Sequence, residues 1–147
     1  MKSILSDGAK ANFSLTSFSG VLVVSPKGPL SPITGTGTTT VSRRNVCVQD
    51  DFKSVKLAGC KYLTLDFPLI GDCELVIEEV DSAQLSTGFT SSGDKVLLAG
   101  GTFKALLKVT KPAMSVPKGG VSEPDGNQTY KDGKGTFIAA TSNYRTT

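Results

Sequence analysis

Apolar and polar residues alternate along much of the chain in short runs. Residues 54–57, 62–65 and 74–80 follow this pattern. Alternation at a period of two is typical of strands with one buried face, because successive side chains of a strand point to opposite sides. Residues 13–18 and 21–24 predict two more strands with a turn between them, and residues 136–140 predict a last one. The pattern therefore predicts an all-β chain of many short strands.

Glycine and proline divide these strands. Three prolines within residues 26–32 predict a connector and not a central strand, because proline lacks the N–H that a ladder needs. We expect a turn at Ala58-Gly59, and a Gly100-Gly101 turn that joins two strands. Residues 115–134 are rich in Gly, Pro and Asp and predict a long loop, from which the last strand returns to pair with the body.

Helix formers are sparse. Residues 78–85 and 105–108 hold some, but Val80 and Asp81 form helices poorly, and strand formers flank the second segment. We predict strand for both. With 147 residues the chain is long enough for one domain with its own core.

The net charge of +3 is too small to indicate a nucleic-acid partner, and the Arg43-Arg44 pair has no aromatic residues interleaved with it. The first residues carry no apolar segment of the kind that a signal peptide needs. We therefore expect the protein to be made in the cytoplasm without a signal peptide.

Catalytic motifs are scarce. The chain has no histidine, which excludes Ser-His-Asp and Cys-His sites. A fragment of a glycine-rich loop occurs at residues 35–38, with no helix predicted after it to bind a phosphate. Two acidic pairs, Asp50-Asp51 and Glu78-Glu79, could serve a glycosidase-like reaction if they were held close together. We favour solvated turns and edge charges for both pairs.

Cys47, Cys60 and Cys73 are separated by thirteen residues each time. Equal spacing in a chain of similar β units could bring three thiols to one axis, and three thiolates with a water would suit zinc. The alternative is three unrelated small apolar core residues, since free cysteine is commonly buried. Both hypotheses stay open.

A glycine-led turn followed by an apolar strand occurs three times, at residues 37–41, 71–77 and 93–98. A resemblance to PAAR-like spike-tip proteins of contractile injection systems is carried by residues 35–41, 71–77, 95–114 with their Pro112-Ala113-Met114 ending, and 130–137. Those systems are phage-tail-like particles related to type VI secretion. The resemblance covers residues 29–140.

The resemblance implies a small conical β domain with approximate threefold repetition and a long C-terminal loop. It divides the chain into an N-terminal β extension (1–28), a PAAR-like core (29–114), and a loop with a returning strand (115–147). The implied function is a non-enzymatic baseplate component that caps a trimeric β-helical spike, one tip per trimer, and helps to puncture the target membrane. Effector cargo is a further implied partner, and the implied location is the assembled particle.

This chain departs from the family pattern at one point. PAAR tips of the familiar kind hold a metal near the apex through histidines with a cysteine, and no histidine is available here. Either the cysteines replace them or the tip holds no metal, and the residues that contact the spike stay unassigned. The alternative function is a small β-sandwich structural or adhesin-like subunit of a phage or cell-surface assembly. A third hypothesis, an enzymatic effector, depends on the acidic pairs.

Overall fold

The computed structural model describes residues 2–140 and 145–146, and nearly all of its regular structure is β. Two short 3₁₀ turns lie at Gln49–Ser54 and Ser82–Gln84. The strands are β1 (Lys2–Ser3), β2 (Lys10–Ser14), β3 (Leu22–Val24), β4 (Leu30–Pro32), β5 (Thr40–Val41), β6 (Arg44–Asn45), β7 (Lys56–Leu63), β8 (Gly71–Glu79), β9 (Leu85–Ser91), β10 (Asp94–Leu97), β11 (Phe103–Lys111), β12 (Thr129–Ile138) and β13 (Arg145–Thr146).

Seven strands form one antiparallel sheet in the order β3-β7-β8-β11-β12-β2-β4. The sheet curls into a half-barrel. The curl brings the edge strand β4 back to β7, where the Ser31 hydroxyl donates a 3.0 Å hydrogen bond to the Lys56 carbonyl. The all-β prediction is therefore confirmed, and the inner face of this sheet encloses the core.

Three phenylalanine rings occupy the middle of that core. The ring centroids of Phe13 and Phe103 lie 5.4 Å apart in an edge-to-face arrangement, and those of Phe103 and Phe137 lie 5.1 Å apart. These distances are typical of favourable aromatic pairs. Because the three rings come from β2, β11 and β12, their packing fixes how these strands lie against one another.

A second, smaller core lies beyond the end of the half-barrel where β8 ends and β11 begins. It is enclosed by the two-stranded β5-β6 and β9-β10 ribbons and by the segment that follows β1. Its buried side chains are Ile4, Val41, Val46, Val48, Val96 and Leu98. The chain thus builds one large core and one small one.

The predicted turn at Ala58-Gly59 is wrong, because β7 runs through it as a single strand. Gly59 has a φ of +75°, and the register with β8 shifts between Leu57 and Cys60. The glycine therefore forms a bulge, at which the strand bends without ending.

The Gly100-Gly101 turn does not form a hairpin. The strand before it, β10, pairs with β9, whereas the strand after it, β11, pairs with β8 and β12. The two glycines carry the chain from the small core to the large sheet. The three glycine-led units also lie in different sheets. Residues 37–41 contribute to the β5-β6 ribbon, residues 71–77 form part of β8 in the large sheet, and residues 93–98 contribute to the β9-β10 ribbon.

The structure also corrects two further predictions. Within the predicted connector, residues 30–32 form β4, and Pro32 is tolerated there because β4 is an edge strand. Between Glu79 and Leu85 the chain forms a 3₁₀ turn and not a continuous strand. The strand prediction for residues 105–108 is confirmed, since they lie within β11.

The last long strand is confirmed as a returning strand, since β12 pairs with β2 and β11. However, it begins at Thr129, seven residues before the predicted strand. The missed part contains Gly133, which lies in the predicted loop, and Gly135, which lies directly after it. A Cβ on Gly133 would lie 2.3 Å from the Phe18 ring, and one on Gly135 would lie 2.3 Å from the Phe103 ring. Both positions within the strand require glycine, because aromatic rings pack directly over them.

We predict that Gly135→Ala destabilises the fold by about 2–3 kcal/mol, since the added methyl overpacks the core against Phe103 and the Asn12 carbonyl. The matched control is Gly88→Ala in β9, where an added Cβ meets nothing within 4 Å. Urea unfolding of both variants measures the difference. Equal free energies of unfolding would contradict the packing described here.

Candidate functional site

The half-barrel has two chemically different ends. We call residues 64–70 and 112–128 the loop end, because they connect β7 to β8 and β11 to β12 on the same side. We call residues 2–8, 33–55 and 80–102, around the smaller core, the hairpin end. Both contain surface that another protein could reach, so we describe each from its residues upward.

The two segments of the loop end are hydrogen-bonded to each other. The amides and carbonyls of Leu69 and Met114 exchange hydrogen bonds of 3.0 and 2.9 Å. The longer segment then folds back on itself: the Ser115 amide donates to the Glu123 carbonyl, and Lys118 pairs with Val121 around two glycines with positive φ. The predicted long loop is therefore an ordered excursion.

A buried polar cluster fastens this excursion to the barrel. Asp125 is only 4% exposed and accepts hydrogen bonds from the hydroxyls of Tyr62 (2.9 Å) and Tyr130 (2.5 Å). The Tyr62 hydroxyl also accepts one from the Ala113 amide. Burial and the Asp125 carboxylate raise the pKa of Tyr62 to about 12, so its hydroxyl stays protonated and can donate. The Asp125 carboxylate thus joins the longer segment to both β7 and β12.

The loop end also exposes apolar side chains. Its open surface between the two segments is a cleft of about 420 Å³, which Leu65, Pro68, Val116 and Val121 help to line. Leu65 is 96% exposed although it is a large aliphatic residue. Sequence reasoning missed this surface, because it assigned the Gly- and Pro-rich segment to a loop only. The isolated valines at 116 and 121 were the available signal.

The hairpin end is polar at its surface. Its two tight turns, at Ser42-Arg43 and Ser92-Gly93, have positive φ at each residue. None of the large hydrophobic side chains that are exposed among residues 2–140 belongs to this end.

The three cysteines are buried free thiols. Cys60 and Cys73 are direct cross-strand partners in β7 and β8, while Cys47 lies between β6 and the first 3₁₀ turn. Burial raises the pKa of Cys47 and of Cys73 to about 12. In the part of the chain that the structure describes, no group of three or more His, Cys, Asp or Glu side chains could hold a metal ion. Zinc binding stays a prediction, which elemental analysis of the protein and of a Cys47→Ala, Cys60→Ala, Cys73→Ala variant tests.

Asp51 and the glycine-rich fragment have structural partners, whereas Glu78 and Glu79 are exposed. Asp51 is buried and accepts hydrogen bonds from the Thr36 and Val48 amides, at 3.0 and 2.8 Å. Gly35 and Gly37 lie against the backbone of Asn45 and Val46, where a Cβ would come within 3 Å. Glu78 and Glu79 are exposed near the end of β8. The glycines of the glycine-rich fragment therefore allow close packing against the β6 segment. Asp51 stabilises the adjoining loop by accepting hydrogen bonds from its backbone amides.

None of the described residues forms a helix that is long and apolar enough to cross a membrane. A search of curated proteins returns no match. The family model described as contractile injection system spike tip protein matches residues 1–147, the whole chain. The chain therefore belongs to this family, and the resemblance seen in the sequence is confirmed.

We predict that Asp125→Ala destabilises the protein by about 2–4 kcal/mol, because two tyrosine hydroxyls and the Asn127 amide lose a charged acceptor. Asp66→Ala in the neighbouring loop is the control. Asp66 is exposed, so its loss should change the free energy of unfolding by less than about 0.5 kcal/mol. Urea unfolding measures both, and similar losses in the two variants would refute the role of Asp125.

We also predict slow thiol labelling of the native protein. With the pKa of Cys47 and Cys73 raised to about 12, thiolate is scarce in mildly alkaline buffer, and burial blocks access. Labelling by an aromatic disulfide reagent should be slow in the native state and rapid for all three cysteines in guanidinium chloride. A native thiol that reacts at the denatured rate would contradict the burial described here.

Proposed function

We propose that this spike tip protein caps the end of a trimeric β-helical spike, one tip per three spike chains, and helps the spike to penetrate the target envelope. The observation that carries the proposal is the family match over the whole chain. Membership places the protein in the particle and associates it with the spike. The trimeric partner, the stoichiometry and the puncturing role are the proposed parts.

A cap is needed for a physical reason. A trimeric β-helix ends in exposed strand edges, and unpaired N–H and C=O groups on such edges invite aggregation. A β-rich protein can cover them by adding its own backbone hydrogen bonds and apolar side chains. When one tip chain binds three spike chains, the tip must be rigid enough to bind in a single orientation. The closely packed phenylalanine core and the fastened loops support that requirement.

The proposed role is mechanical and not catalytic. Spike tips are structural components, and the force comes from contraction of the sheath. A tip transmits that force if its core does not yield, which native packing density favours. Contact with the target membrane is brief on this view, and carriage of effector cargo is an additional proposed role.

Coexpression with the spike protein of the same particle tests the proposal. Native mass spectrometry of the purified complex should give one tip per three spike chains. The absence of a stable complex, or a ratio of one to one, would refute the capping role. Self-assembly of the tip without affinity for the spike would favour the alternative of a β-sandwich or adhesin-like subunit.

Alanine variants at Asp50, Asp51, Glu78 and Glu79 test the enzymatic alternative in the same particle. If the effect of the assembled particle on the target cell is unchanged while the variants stay folded, the carboxylates have no catalytic part. Asp51 requires a separate folding control, because its carboxylate accepts backbone hydrogen bonds.

A further inference from the structure

We infer that the loop end is the surface that contacts the end of the spike, and that the hairpin end points away from it toward the target. This inference rests on the proposed function and adds the orientation of the tip. It is carried by the distribution of apolar surface, by the rigidity of the two loop segments, and by the charges around them.

Apolar side chains are concentrated at one end. Nine large hydrophobic residues are exposed among residues 2–140, and five of them lie in the loop end at exposures of 43% to 96%. The other four lie on the outside of β3, β4 and β12, and none lies at the hairpin end. The five loop-end residues are Leu65, Leu69, Ile70, Val116 and Val121.

The area of this surface fits a protein interface. Five side chains at these exposures together present on the order of 400 Å² of apolar surface, and three of them, Leu65, Val116 and Val121, line the same cleft. An interface of standard size buries about 800 Å² on each partner, of which a little over half, or about 450 Å², is apolar. The loop end therefore supplies close to the apolar area that one such partner needs.

The surface is also held in place before a partner arrives. The paired Leu69 and Met114 backbones join the two segments, and Asp125 fastens the longer one to Tyr62 and Tyr130. An ordered surface loses little conformational entropy on binding, which favours a tight and uniquely oriented contact.

The charges at the rim favour a protein over an anionic membrane. Asp66 and Glu123 flank the cleft, with Lys118 as the basic residue among its lining side chains. Surfaces that insert into anionic lipid carry lysine and arginine around their apolar residues. Two acidic residues and one basic residue do not give the excess of cationic side chains that attracts such a membrane, whereas a polar rim around an apolar centre is typical of protein interfaces.

The test compares two matched double variants in binding to the purified spike trimer. Leu65→Asp with Val121→Asp changes the loop end, and Leu22→Asp with Val24→Asp changes the outer face of β3. Each pair replaces one leucine and one valine that are more than half exposed, so both variants should fold. Circular dichroism and thermal unfolding check this.

We expect the loop-end variant to weaken the Kd for the spike about 100-fold, since buried apolar anchors dominate such interfaces. The β3 variant should bind as the unchanged protein does. If the unchanged protein binds and the loop-end variant binds equally well, the orientation is wrong while the capping role stands. If the unchanged protein does not bind, the capping role itself fails.

The same variants test two other binding partners for the loop end, an anionic membrane and a second copy of this chain. Binding of the unchanged protein to phosphatidylglycerol vesicles that is lost in the loop-end variant would overturn the inference in favour of a membrane contact. A dimer of the free tip that persists beside the spike and is lost in the loop-end variant would overturn it in favour of a second copy of this chain. A monomeric tip that binds the spike and not the vesicles supports it.

Discussion

The close packing of phenylalanine rings against glycines in β12 is the constraint on which the rest of the structure depends. The Phe18 and Phe103 rings occupy the space where side chains of Gly133 and Gly135 would stand. This lets β12 approach the aromatic core while it pairs with β11 on one side and β2 on the other. Without this approach, β2 would lose its pairing with β12, and β2 and β4 could not complete the curl of the sheet toward β7.

The curl in turn creates two ends that can differ. At one end, the chain leaves the large sheet to build a second core from short ribbons, and its turns are polar. At the other end, two connections meet and are fastened by Asp125. In the proposed role, the tip has one side bound to the spike and one side facing the target. The contrast between an ordered apolar end and a polar end agrees with that asymmetry.

The chemically distinctive residues of the sequence serve structure in most cases. Asp51 accepts hydrogen bonds from backbone amides, Gly35 and Gly37 allow close approach of the backbone, and the three cysteine side chains are buried. The sequence does not indicate the role of Asp125, because an Asp within a Gly- and Pro-rich segment is typical of a turn. Its importance depends on Tyr62, which is 63 residues away, and no local pattern connects the two.

The sequence by itself determined the all-β class, most of the strands, the returning last strand, and the family. These follow from period-two alternation and from short motifs, both of which are local. Only the tertiary structure decided that Gly59 is a bulge, that β10 and β11 lie in different sheets, and that β12 starts at Thr129. The physical reason is that alternation specifies which face of a strand is buried and not which strand lies beside it. Backbone hydrogen-bonding groups are alike at nearly every residue, so the choice of neighbour depends on packing between distant side chains.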